Sequence, residues 1–355
     1  MFDREENKIY LKSIQGAIDG GHMQASIDNK YMYPWRINIF PGTSCMFFCS
    51  FCGRNHGSVV DDAYESYLYF KQVIEQDSGK DPKVFGIGGG LEPLTTPYIG
   101  EIFKNLHDGG YKCRMLTNAF LLNNKYIKKH EYINSLDHIR VSLYGIDEEE
   151  YKSTTKHNKG WHVVKENLKN YNKIENRTKL YLNYILLPSN YKNILKVIDY
   201  IDYIGGCDNL SLREDFAFHY EIEERKTLAE YLLKFDTEIK KRGIRVDYGY
   251  SLSQLLKGLE TKLLRVTSVD QLTRRQSPQV KIALDPRGDI YYYQEAGFID
   301  RPGSDRHILG NIKNSSIEEE LKKEVEIEPD INDVKYMDAF NQTVELYKWS
   351  KRCMN

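Results

Sequence analysis

From about residue 35 to 250 the chain alternates two hydrophobic patterns. In short stretches apolar and polar residues take turns, whereas in longer ones apolar residues return every three or four positions. The short stretches predict strands at 35–40 (WRINIF), 84–90 (VFGIGGG), 113–119 (CRMLTNA), 138–144 (HIRVSLY), 179–187 (KLYLNYILL) and 209–215 (NLSLRED). A further strand is expected at 244–250 (IRVDYGY). Amphipathic helices are expected between them, as at 193–204 (NILKVIDYIDYI). Strands separated by helices imply an α/β protein with a parallel sheet and helices outside it. Six such units predict a partial (β/α)6 barrel, whose site would lie where the strands' C-terminal ends and their loops converge.

Beyond about residue 275 the texture changes. Residues 281–294 (KIALDPRGDIYYYQ) read as a β-hairpin around DPRGD, followed by HILGNI, a charged helix at 316–328 and a polar tail. The expected organisation is an N-terminal segment (1–34), a core (35–250) and a small C-terminal appendage (251–355).

Composition narrows the classes. A chain of 355 residues that is 41% hydrophobic buries a large core with ease. A net charge of −1 counts against a broad nucleic-acid surface. The charged N-terminus has no apolar signal segment, and no run approaches about eighteen apolar residues, so neither secretion nor a membrane span is expected. Six cysteines without paired spacing fit a reducing compartment, and the expected location is the cytoplasm.

Three of those cysteines fall within eight residues, CMFFCSFC, at Cys45, Cys49 and Cys52. A structural zinc site needs four ligands, and His56 is the available fourth. A redox pair Cys49–Cys52 leaves Cys45 unexplained. A 4Fe–4S cluster with three cysteine-held irons and one open iron uses all three thiolates. The zinc and cluster readings both remain open on spacing alone.

The CxxxCxxC spacing resembles the signature of the radical S-adenosylmethionine (SAM) superfamily, and further segments resemble it in the same order. GGGLEP (88–93) is similar to the family's glycine-rich turn, with Leu91 where a second Gly is usual. LTNAFLL (116–122) is similar to its Thr-Asn-Gly segment, with Ala119 in the Gly place. RVSLYGID (140–147) resembles its fourth-strand Ser segment. The resemblance spans about residues 35–215 and implies one 4Fe–4S cluster on Cys45, Cys49 and Cys52, with SAM chelating the open iron. It further implies cofactor contacts from Phe51 to the adenine, from Gly89, Gly90 and Glu92 to the methionyl amino group, and from Asn118 and Ser142 to the rest of SAM. An external electron donor such as flavodoxin or ferredoxin is the implied partner.

Asn183 on the fifth strand and Arg213 on the sixth are expected near the C-terminal strand ends, facing the same ligands. Arg213 suits a carboxylate or an anionic substrate, because its fork makes bidentate contacts. A structural ion pair with Glu214 or Asp215 is the alternative.

Family members that oxidise their substrates, and many that modify peptides, carry auxiliary clusters in a cysteine-rich C-terminal extension. Here Tyr291, Tyr292 and Tyr293 stand where the first such cysteine is expected, and Cys113, Cys207 and Cys353 are scattered. The appendage is therefore expected to lack an auxiliary cluster. A redox-neutral elimination, rearrangement or epimerisation of a small polar substrate follows, with single-cluster enzymes of sugar and aminoglycoside biosynthesis the nearest resemblance. Epimerisation would need a hydrogen donor, and Cys353 on the tail is the candidate. Glu214, Asp215, Asp247 and Tyr248 at strand ends suit a hydroxylated or amine-bearing ligand, or else serve as caps. The alternatives are a peptide-modifying enzyme, disfavoured by the roughly 34 residues before the first strand, and a non-catalytic zinc or iron–sulfur protein.

Overall fold

The structure is a computed structural model that describes residues 14–28, 30–49, 52, 62–76, 84–214, 222–259, 279–291, 308–323, 347–348 and 351. Its strands in chain order are β1 (Arg36–Ile39), β2 (Val84–Ile87), β3 (Lys112–Thr117), β4 (His138–Leu143), β5 (Lys179–Leu186), β6 (Asn209–Glu214), β7 (Val246–Tyr248), β8 (Lys281–Leu284), β9 (Asp289–Tyr291) and β10 (Ile308–Asn311). All six strands expected from the hydrophobic pattern form, as does the further one. The chain divides into two compact units.

The first unit comprises residues 1–44, 57–113 and 264–355. Its strands run in the order β10-β9-β8-β1-β2. β1 is parallel to both β2 and β8, whereas β8–β9 and β9–β10 are antiparallel. The hairpin expected at the C-terminal end therefore extends a parallel sheet through β8. Helix Ile99–Asp108 buries Ile99, Ile102, Phe103 and Leu106, the spacing that puts one apolar stripe against a sheet. Helix Ala63–Gln76 buries Tyr69, Phe70, Val73 and Ile74, and its Gln72 donates to the carbonyls of Ile312 and Ser315, each at 3.1 Å. The charged C-terminal helix spans Ile317–Leu321 with a capping box between Ser316 and Glu319.

The second unit comprises residues 45–56 and 114–263. Its strands, β3 from Arg114 onward through β7, are all parallel. The alternation in β4 and β5 buries Ile139, Val141 and Leu143, and Leu180, Leu182, Tyr184 and Leu186, on one face. The opposite face carries His138, Arg140 and Ser142, and Tyr181, Asn183 and Ile185. A parallel strand covered on both faces reads as a continuous apolar run. Half-buried polar residues on one face mark that face as the functional one. Helix Lys196–Ile204 stops at Gly205, whose φ of 86° is the left-handed conformation that glycine adopts without penalty.

No helix among the described residues is long and apolar enough to cross a membrane.

Candidate active site

In the second unit the cysteine loop is held chiefly by Phe47. This fully buried ring meets Phe120, Tyr144, Tyr151 and His157 edge-on, with centroids 5.4–5.8 Å apart. Such edge contacts add about 0.5–1.5 kcal/mol per pair to the burial of the ring. The Phe48 N–H donates to the Thr155 carbonyl at 2.9 Å, and the Cys52 N–H to the Cys49 carbonyl at 2.9 Å, closing the CxxC turn.

The three thiols influence one another. Burial, then the neighbouring Cys45 and Cys52, push the Cys49 thiol up to about 12, against a hydrogen bond from Tyr144 that lowers it. Three adjacent thiolates repel unless a positive centre draws them together, and an iron–sulfur cluster supplies one. Among the described residues no three His, Cys, Asp or Glu side chains surround one common metal position. A cubane cluster does not require that, because its cysteines sit on three different irons. The donor set fits a cluster.

Asn118, one residue past β3, points its amide at this loop. Its Nδ2 lies 3.1 Å from Met46 Sδ and 3.7 Å from Cys45 Sγ, while its Oδ1 accepts from the Phe120 N–H at 2.9 Å. The next residue, Ala119, takes the left-handed backbone at φ 61°, which explains why glycine is common there in the family. Asn167 donates to the carbonyls of Ala119 and Phe120 and pins the turn.

Ser142, Asn183, Ser211 and Asp247 stand in one row across β4, β5, β6 and β7. Neighbours in such a row point to the same side of the sheet. Arg213, one position further up that face of β6, closes on Asp247 with an Nη2–Oδ2 distance of 2.6 Å. Among the described residues Asp247, rather than Glu214, is thus its partner. Glu214 instead pairs with Arg225 at 3.1 Å. Tyr248 donates from its hydroxyl to Asp236 at 2.8 Å. Cys113 is buried near the start of β3, and burial, then Asp208, pushes the Cys207 thiol up to about 12. Neither carries the signs of a reactive thiol.

The first unit holds the glycine-rich turn. Gly88 and Gly89 have φ of 106° and 119°, which a residue with a Cβ rarely adopts. Gly90 follows them, and Leu91 beyond it is buried. Glu92 is buried, its N–H donates to the Ser44 carbonyl at 3.0 Å, and its carboxylate accepts from the Leu94 N–H at 3.2 Å. Thr95 Oγ1 accepts from the N–H groups of Thr43 and Ser44 at 3.1 and 3.2 Å, so this turn is tied to the residue immediately before Cys45. Phe51, His56, Asp215, Tyr292, Tyr293 and Cys353 lie outside the described residues. Gly42, Thr95, Arg140, Tyr144 and Ser211 were not expected from the sequence, although Gly42, three residues past β1, is a visible glycine signal.

A model of the radical SAM superfamily matches residues 39–201. Over 347 residues the chain is 31% identical to the dTDP-4-amino-4,6-dideoxy-D-glucose ammonia-lyase of Streptomyces venezuelae, which covers 91% of this chain and 71% of that one. It is 28% identical over 197 residues to a probable GTP 3',8-cyclase of Methanococcus maripaludis, 52% of this chain and 62% of that protein. Among solved structures, SuiB of Streptococcus suis bound to the precursor peptide SuiA aligns with a TM-score of 0.60 at 16% identity, over 87% of this chain and 69% of that one. The structure of anSMEcpe with bound AdoMet aligns at 0.55 and 16%, over 82% and 78%. Likeness at that identity is one of fold, here that of radical SAM enzymes. The chain belongs to the radical SAM superfamily and is an enzyme of SAM-cleaving radical chemistry.

Proposed function

We propose that this enzyme carries one 4Fe–4S cluster and acts on a small hydroxylated substrate, an amino sugar, by redox-neutral elimination of ammonia. The observation that carries the reading is the extent of the likeness to the sugar ammonia-lyase, 31% identity over 91% of the chain, which takes in the C-terminal appendage as well as the core. A CHOH–CHNH2 unit that becomes CO–CH2 and ammonia balances in atoms and electrons, so no auxiliary cluster is needed to accept an electron.

When bound, the cluster and SAM supply a 5′-deoxyadenosyl radical by reductive cleavage. In this reading Cys45, Cys49 and Cys52 hold the cluster, and Asn118 fixes the loop that bears them. By the family resemblance, Gly89, Gly90 and Glu92 would serve the methionyl amino group, Phe51 the adenine, and Ser142 and Arg213 the ribose and carboxylate. Asn183 offers an amide partner to the sugar. Residues 35–250 form the catalytic core, 251–355 the appendage and 1–34 a leading segment. Cys353 has no task in an elimination, and the enzyme works in the cytoplasm with a flavodoxin or ferredoxin as reductant.

The test is anaerobic reconstitution with iron and sulfide, then dithionite, SAM and dTDP-4-amino-4,6-dideoxyglucose. The readouts are 5′-deoxyadenosine and ammonia in the wild type and in Cys49→Ala. Ammonia from the wild type alone supports the proposal. Deoxyadenosine without ammonia across a panel of amino sugars sinks the elimination.

A further inference from the structure

One row nearer the strand starts than Ser142, Arg140 stands on the polar face of β4 in register with Tyr181, which itself pairs with Asn209. Its Nε is buried without a partner, and no described residue takes a hydrogen bond or ion pair from its guanidinium. Burial, then the like charge of Arg213, pulls its pKa below the ordinary arginine value. Asp247 is the carboxylate that faces it, and that carboxylate is already closed on Arg213. The Tyr181 ring, stacked on His138 at 4.3 Å and 17°, walls the same row. Ser211, fully buried one row up, also has an Oγ without a partner.

A desolvated guanidinium with no acceptor is costly, and the cost is offset when a ligand brings the acceptor. The groups buried here without a partner are Arg140 Nε and Ser211 Oγ, and with the remaining donors of the same half-buried guanidinium they suit an anion with several oxygens. Two sources of such an anion exist, a carboxylate on SAM and a phosphate on the substrate. Position separates them. Asn118, the residue that touches Cys45, follows Thr117, whose register partner is Val141. Asn118 therefore belongs to the row of Ser142, and Arg140 lies roughly 7 Å further from the cysteine loop along the strand. Asn118 and Ser142, which would contact SAM in the reading above, share that row, so Arg140 stands one step removed from the proposed cofactor contacts.

We propose that Arg140 binds the phosphoryl oxygens of a nucleotide-activated substrate, with Ser211 as a further hydroxyl contact. This rests on the amino-sugar reading and deepens it, because it requires the sugar to arrive linked to a diphosphate rather than free.

The experiment uses the full chain with its cluster reconstituted, as wild type, Arg140→Met and Arg140→Lys. Calorimetric titration with thymidine 5′-diphosphate is run beside titration with S-adenosylhomocysteine, and the ligand-free proteins are melted. The expected result is a loss of thymidine diphosphate affinity of roughly 10- to 100-fold in Arg140→Met, smaller in Arg140→Lys, with S-adenosylhomocysteine unaffected. Melting of the ligand-free Met variant should be unchanged or higher, since an unpaired buried charge has been removed. An unchanged diphosphate affinity, a loss on S-adenosylhomocysteine instead, or no diphosphate binding by the wild type each overturns the proposal. So does a melting temperature several degrees lower, the mark of a structural arginine. Ammonia released from an unphosphorylated amino sugar would remove this inference and leave the elimination standing. Arg140-dependent diphosphate binding with no ammonia from any amino sugar would do the reverse.

Discussion

Arg213 Nη2 donates to Asp247 Oδ2 at 2.6 Å while its Nη1 donates to the Asp247 carbonyl at 2.7 Å, so that β6 and β7 share one clamp. The Leu212 carbonyl takes a further Nη1 hydrogen at 2.9 Å. Of five N–H donors in the fork, three are thereby held and two remain for a ligand. Both side chains are about a third exposed, at 32% and 42%, so the pair itself adds at most about 1 kcal/mol to stability. Asp247→Asn should cost no more than that in denaturant melts. Arg213→Met should weaken S-adenosylhomocysteine binding roughly 10- to 100-fold, and Asp247→Asn should weaken it less. Unchanged binding in Arg213→Met would take Arg213 out of the cofactor site.

Gly42 is required by a close approach. A Cβ there would lie 2.7 Å from the Glu92 carbonyl oxygen and 2.7 Å from the Leu91 carbonyl carbon, both backbone atoms that cannot swing aside. Gly42→Ala must displace either the lead into the cysteine loop or the turn that carries Glu92. The expected cost is about 1–3 kcal/mol of stability with weaker S-adenosylhomocysteine binding. A melting temperature and affinity equal to wild type would show that the two segments separate freely.

Much of this was legible in the sequence because two periods, one for strands and one for helices, alternate cleanly across residues 35–250. The six main strands begin and end within about three residues of the predicted bounds, which is the usual uncertainty at element ends. The cysteine spacing was equally plain. What the sequence hid was pairing across strands. Glu214, next to Arg213, was a natural partner on paper, yet successive residues of a strand point to opposite faces. Arg213 therefore reaches Asp247, and Glu214 reaches Arg225 on the other side. Arg140 could not be read as unpaired, because that depends on what every neighbouring strand brings to its row. Likewise the hairpin at 281–291 was visible, but its parallel pairing with β1, from the other end of the chain, was not.

Asp285 gives the first unit a pH dependence. Its side chain is fully buried, and burial, then Asp289, raises its pKa from an ordinary 3.8 to about 6, against the Arg287 guanidinium and two backbone N–H donors. A carboxyl with a raised folded pKa contributes stability that is full below the unfolded value and lost as the pH rises through about 6. The rise corresponds to about 3 kcal/mol between pH 4 and pH 7. Asp285→Asn keeps an acceptor for the N–H groups of Arg287 and Asp289, now bonded at 2.8 and 3.0 Å, and removes the charge. Relative to this variant the wild type should gain stability as pH falls from 7 to 4. A difference that stays constant over that range would mean the hydrogen bonds to the carboxylate outweigh its burial.

Phe47 tests whether the cysteine loop depends on one ring. Among the described loop residues it is fully buried, while its neighbour Phe48 is 57% exposed. Removing a buried Phe side chain costs about 3–5 kcal/mol when the whole domain feels it. The loop also has local ties, the Phe48 N–H to Thr155 and Asn118 to Cys45, and these set how far it opens on its own. Because local opening is capped by the loop's own stability, Phe47→Ala should lower global melting by less than the full cost. It should instead release hydrogen-exchange protection at residues 45–49 and reduce the iron bound per chain after reconstitution. Phe47→Leu, which keeps most of the volume, should fall between. Full iron content and unchanged exchange in Phe47→Ala would show that the thiolates, once on the cluster, order the loop without the aromatic hub.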